Sequence, residues 1–222
     1  MSRALLCTWA LGLLALLTAC AGTPPPDWQM NAHASLQRAI DAQLAGNARV
    51  AEAEMRVVRT EIARTGRPDL LARAELTRCA AEAAALNFGP CAAFEPLRAD
   101  AAAPEVAYAA YLAGATDAAQ RALLPAAQQA LAGASTVDAA RLNAVPDPLA
   151  RLLGAAVALR EQRLAPEAIH TAIDTASAQG WRRPLLAWLQ LAQQRAQQGG
   201  DAASAARLQR RIALVLADPA AR

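Results

Sequence analysis

Three side chains invite a nucleophilic reading. His170, Asp174 and Ser177 lie at i, i+4 and i+7, and share one face if residues 167–179 are helical. A working Ser–His–Asp arrangement needs the base between nucleophile and carboxylate, with an oxyanion hole nearby. Here Asp174 is the middle member. The order is wrong for hydrolysis, and the three read as a solvated helix face. The chain has no His-Glu-x-x-His, no phosphate-cradling Gly loop and no dinucleotide fingerprint. His33 stands alone near the N-terminus and reads as a surface residue. Acidic residues are scattered, without the oxygen cluster a hard cation needs. Glu75, Glu82 and Glu105 could be paired across a glycan-cleaving cleft, but such carboxylates occur in any helical protein. The expectation is a non-enzyme with no catalytic residue, cofactor or metal site.

The thiols carry more information. Cys7 and Cys20 fall in an N-terminal stretch where Arg3 precedes an apolar run from Ala4 to Leu17. That is a positive n-region and an h-region of about the usual 7–15 residues. The run is short for a spanning helix, which needs about 20 apolar residues. Its end, Leu17-Thr18-Ala19-Cys20, resembles the lipobox of bacterial lipoproteins. The resemblance implies cleavage just before Cys20, a diacylglycerol on its thiol, and usually an acylated amino terminus. Residue Ala21, not Asp, follows, and within that family this implies the outer membrane. An ordinary cleaved signal and an uncleaved anchor are the alternatives. Pro24-Pro25-Pro26 then favours an extended segment. We read residues 1–19 as signal peptide, 20–31 as lipidated Cys and Pro-rich tether, and 32–222 as one helical domain. The tether would lift that domain roughly 30 Å from the lipid.

Cys79 and Cys91 remain, an even pair in what would be an oxidising periplasm. Leu76, Ala83 and Leu86 lie at i−3, i+4 and i+7 from Cys79, which places it on an apolar helix face. Asn87-Phe88-Gly89-Pro90 then turns the chain, and Cys91 follows. A disulfide would pin that turn to the helix and stabilise by about 3 kcal/mol. Two buried thiols are the alternative. The spacing is not Cys-x-x-Cys, and neither His lies near.

The rest of the chain must position these groups, and its composition is helical. Of 222 residues, 55% are hydrophobic and only 4% aromatic. About 60 are Ala, the best helix former, and β-branched residues are few. The net charge of +3 comes from 22 basic residues, all Arg, against 19 acidic ones, and gives no footprint for nucleic acid. Apolar stripes at helical spacing recur: Ala51, Met55, Val58 and Ile62; Leu149, Leu152, Leu153 and Ala156; Ile169, Ala172, Ile173 and Ala176; Ala205, Leu208, Ile212 and Val215. Caps and breakers divide them, notably Gly46-Asn47, Gly66-Arg67-Pro68, Asp147-Pro148, Gly180 and Gly199-Gly200-Asp201. The predicted helices span 32–45, 48–65, 69–87, 104–113, 117–132, 136–144, 148–163, 167–179, 183–198 and 202–217, with Ser135 and Asp138 as a capping box. The fold expected is all-α, antiparallel hairpins forming a bundle or a short solenoid.

Two hairpins resemble tetratricopeptide repeats. Trp188-x-x-Leu191-Ala192, Gly199 or Gly200 at the turn and Ala205 beyond it follow that pattern, as does Gly46 with Ala51. Arg195 and Gln209 depart from it where aromatic residues are expected, and no period of about 34 residues links the hairpins. The resemblance covers the two ends of the chain and implies a concave protein-binding surface. Trp181, Arg182, Arg183 and Trp188 are the candidate partner-binding residues. If both are helical the two Trp share a helix face, where the core is the favoured reading and an exposed one becomes the interface anchor; the Arg residues would equally form a solvated rim. The function expected is an outer-membrane-anchored scaffold or adaptor with an envelope protein as partner. An enzyme, or enzyme activator, acting on cell wall or envelope lipid is the second reading.

Overall fold

The computed structural model describes residues 24–217. Pro24–Pro26 are exposed and lead directly into α1 (Asp27–Ala45), followed by α2 (Ala48–Ala63) and α3 (Pro68–Ala84). A 3-10 segment (Glu95–Asp100) precedes α4 (Ala103–Leu112), α5 (Ala118–Arg121), α6 (Ala126–Ala132) and α7 (Ala139–Asn143). Then come α8 (Pro148–Arg160), α9 (Ala168–Ala178), α10 (Arg182–Gln198) and α11 (Ala202–Leu216). Among the described residues there is no strand, only a parallel bridge between Val137 and Leu164. The architecture is an all-α bundle.

Local chemistry explains the helix ends. At Gly46 the backbone is left-handed (φ 94°). Its N–H donates to Gln43 O, and that of Asn47 to Ala42 O, so the last carbonyls of α1 are satisfied before the chain reverses into α2. The same 6→1 bond recurs where Gln162, without glycine's freedom, takes φ 58° and the Arg163 N–H reaches Ala158 O. Asp147, Asp138 and Asp201 cap α8, α7 and α11, accepting from the N–H groups of Ala150, Arg141 and Ser204. Hydrogen bonds from Ser204 hold the Asp201 carboxyl below the usual carboxylate range. That cap is complete at neutral pH and is lost as pH falls through the lowered value.

Several expected boundaries are corrected. The first helix begins at Asp27, so residues 27–31 are helical. Asp27 complements the helix N-terminus, and Trp28 is half-buried. The expected helix over 117–132 breaks into α5 and α6, because Pro125 is extended (ψ 149°) and has no N–H. The expected capping box at Ser135 and Asp138 does not form. Val137 instead pairs with the Arg163–Ala165 segment, which delays α7 until Asp138 can cap it. Asp117 and Gln120 form the reciprocal box at α5.

Helix α8 is the centre. Every residue from Leu152 to Ala158 is buried, the all-round burial of an interior helix. α3, α6, α7 and α9 pack around it. Its crossing with α6 requires Gly154, where an added Cβ would lie 2.1 Å from Leu131 Cδ1. We expect Gly154→Val to destabilise by about 1–3 kcal/mol through overpacking, read as a lower urea midpoint at unchanged slope. The α1/α2 and α10/α11 hairpins flank this centre, and α10 packs on α1, so the first and last described hairpins meet.

Cys79 and Cys91 are joined in a disulfide, with Cα atoms 5.8 Å apart and a sequence separation of 12. Cys79 shares a cluster with Leu76, Phe94 and Tyr111, so the bridge ties the turn to the α3–α4 core. Replacing both Cys by Ser should cost about 3 kcal/mol on loop-closure grounds. Urea unfolding of the two forms would measure it, and a loss below about 1 kcal/mol would contradict it.

Candidate partner-binding groove

The helices leave adjoining concavities on one side of the bundle. The larger, about 640 Å³, is floored by Leu36, Ile40 and Leu44, one stripe of α1 at i, i+4 and i+8. Leu149 and Trp181 wall it, and Asp41 and Asp147 supply its charge. A second cleft of about 380 Å³ lies between α3 and α4, with Arg73 and Thr77 from one and Glu105 and Tyr108 from the other. Leu123 and Pro125, in the break between α5 and α6, complete it. Thr77 lines both. A third hollow beside Trp28 shares Arg73 with the cleft and His33 and Leu36 with the larger concavity. The three adjoin through these shared side chains and together form a groove.

Glu105 is the unusual group in it. The residue is only 5% exposed. Arg73 donates from Nε and Nη2, both to Oε1, at 2.8 and 2.6 Å. Oε2 is buried without a hydrogen-bond partner. A buried acceptor left unpaired costs about 1–3 kcal/mol, and more when charged. Burial, and then the Asp147 charge, push the nearby Tyr108 phenol well above its ordinary pKa, so it stays protonated and able to donate.

Glu75, also buried, belongs to a separate network. It accepts from Arg59 at 2.6 Å and Arg78 at 3.1 Å, and those arginines reach Glu52 and Glu82. Glu75 does not line the cleft that holds Glu105. The two buried carboxylates are therefore each matched to Arg, and do not face each other across one opening.

Trp188 is fully buried, and its indole N–H donates 3.0 Å to Ala84 O at the end of α3. This corrects its candidacy as a contact residue: it belongs to the core. Trp181 is half-buried on the groove wall. Arg182 turns away, donating to the carbonyls of Val215 and Leu216 at the end of α11. Arg183 is half-buried and lines none of the three hollows. His170, Asp174 and Ser177 are exposed on α9 and no hydrogen bond joins them. Cys20 and the segment Leu17–Cys20 lie outside the described residues.

Sequence reading alone missed Trp28, Tyr108 and the place of His33 in the groove. It named Glu105 only beside Glu75 and Glu82, as carboxylates that any helical protein carries. A signal for Glu105 exists: it sits on the α4 stripe with Ala109 and Leu112, both buried, where a carboxylate is out of place. Among the described residues no helix is long and apolar enough to cross a membrane. Fold and site together define an all-α bundle with a side groove. Comparison with protein-family models, curated proteins and solved structures gave no match.

Proposed function

We propose that the chain is an outer-membrane-anchored periplasmic lipoprotein whose helical body serves as a protein-binding scaffold or adaptor in the bacterial envelope. The groove is the observation that carries the adaptor reading. Its larger concavity has an apolar floor, and an aromatic side chain stands half-exposed on its wall, a combination suited to a peptide or helix ligand. The address rests on Leu17-Thr18-Ala19-Cys20 after an apolar run. The Cys79–Cys91 bridge supports it, since disulfides persist in oxidising compartments.

Photocrosslinking in cells tests the adaptor role. A photoreactive residue at Trp181 or Leu123 should give a discrete higher-mass adduct. The same residue at Asp174, exposed on α9 outside the groove, should not. Absence of adducts from both groove positions, or identical adducts from Asp174, would count against a partner in the groove.

A further inference from the structure

The last two helices concentrate positive charge. Six of the chain's 22 Arg lie on α10 and α11, and none of its 19 acidic residues does. They are Arg182, Arg183 and Arg195 on α10, and Arg207, Arg210 and Arg211 on α11. The rest of the chain holds more acidic residues than basic ones, so the field of the molecule is lopsided. Arg182 is drawn to the carbonyls of Val215 and Leu216. Arg207 donates to Ser204 Oγ, close to the Asp201 cap. None of the six forms an ion pair among the described residues. Arg210 and Arg211 are exposed.

The three cations of α11 share a face with an apolar residue. This helix packs chiefly on α10 and buries Ala205, Leu208 and Ile212. At about 100° per residue, Arg207, Arg210, Arg211 and Leu214 fall within an arc of about 100°, turned away from that stripe. Leu214 is 73% exposed, more than any other large apolar side chain described. No residue of α11 lines the hollows of the groove, so this face suits a planar surface better than an inserted side chain.

We infer that this face of α11 lies on an anionic phospholipid surface, with Arg207, Arg210 and Arg211 on lipid phosphates and Leu214 entering the acyl boundary. Guanidinium groups donate in pairs to phosphate oxygens, and the acyl boundary takes the Leu side chain. An acidic protein would have to supply both carboxylates and a pocket for Leu214. A bilayer supplies phosphate and hydrocarbon at any register. The choice of surface rests on the proposed anchor, since residues 20–26 reach at most about 25 Å and would keep this face close to lipid.

The test uses the mature chain carrying Cys20→Ala, which has no acyl group, in flotation with two kinds of vesicle. One holds equal parts of phosphatidylglycerol and phosphatidylethanolamine, and the other only phosphatidylcholine. The chain should float with the anionic vesicles, less so as salt rises, and not with the neutral ones. Replacing Arg207, Arg210 and Arg211 together by Gln should weaken binding about 100-fold, and Leu214→Ser about fivefold. Replacing Arg49, Arg56 and Arg141 by Gln removes the same charge from exposed positions on other helices and should change little. Unchanged urea midpoints will show that each variant keeps its core. No flotation with anionic vesicles, equal flotation with neutral ones, or an equal loss from the Arg49, Arg56 and Arg141 variant would overturn the inference. Retention on immobilised polyglutamate without flotation would overturn it in favour of an acidic protein. Because the chain tested has no lipid of its own, failure here with an acylated Cys20 in cells would refute only the α11 contact. Flotation of this chain with an unmodified Cys20 in cells would refute only the anchor.

Discussion

Replacing Trp188 by Ala will destabilise the protein by about 3–5 kcal/mol, the cost of removing a large aromatic side chain from a closed core. Domains of this size hold about 5–15 kcal/mol in all, so a large share of the stability would go. The side chain is fully buried in a core cluster to which α3, α8, α9 and α11 also contribute. Its indole N–H also satisfies the carbonyl of Ala84, which lies at a helix end and has no next turn to accept from. The single residue therefore locks the C-terminal hairpin to the centre of the bundle. Trp188→Phe keeps most of the volume and loses only the donor, and should cost about 1–2 kcal/mol. Urea unfolding followed by circular dichroism separates the two. A loss below 1 kcal/mol for Trp188→Ala would mean that this contact does not hold the hairpin in place.

The second large effect concerns location. Cys20→Ala should abolish incorporation of labelled palmitate and release the protein from the membrane, or leave it as an unprocessed precursor of higher mass. Without the thiol there is no attachment point for diacylglycerol. Each buried CH₂ of an acyl chain contributes about 0.8 kcal/mol, so losing two or three chains removes the whole anchoring energy. The described helices offer no spanning segment to replace it. Unchanged partitioning and unchanged labelling would refute lipidation at Cys20.

Much of the fold was legible in the sequence because its signals are local. Gly46, Asp147-Pro148 and Gly199-Gly200-Asp201 mark helix ends through backbone conformation and capping, which depend on a few neighbouring residues. The stripe of Met55, Val58 and Ile62 is buried as its spacing requires. The Ala-rich stretch around Pro125 was less clear, since Ala favours helix without marking which face turns inward. Val137 left its expected helix for a pairing with a segment more than twenty residues away, which no local pattern shows.

The groove was the least legible part. Its walls come from α1, α3, α4 and the α9–α10 corner, and only tertiary packing brings them side by side. Trp181 and Trp188 look alike in sequence, seven residues apart. They diverge because Trp181 lies at the helix entrance, half outside the core, while Trp188 faces the end of α3. Arg182 and Arg183 form a basic pair in sequence, yet Arg182 is drawn to the last carbonyls of α11. Glu105 gave a weak hint as a carboxylate on an apolar stripe, but its Arg73 partner is thirty-two positions away.

Lipidation of Cys20 fixes the proposed address, and mass spectrometry of the N-terminal peptide from protein extracted with membranes tests it most directly. The peptide should begin at Cys20, with diacylglyceryl on the sulfur and, as a further addition, an acyl group on the amine. A peptide that extends through Ala19, or one that begins elsewhere and contains an unmodified Cys20, would contradict it.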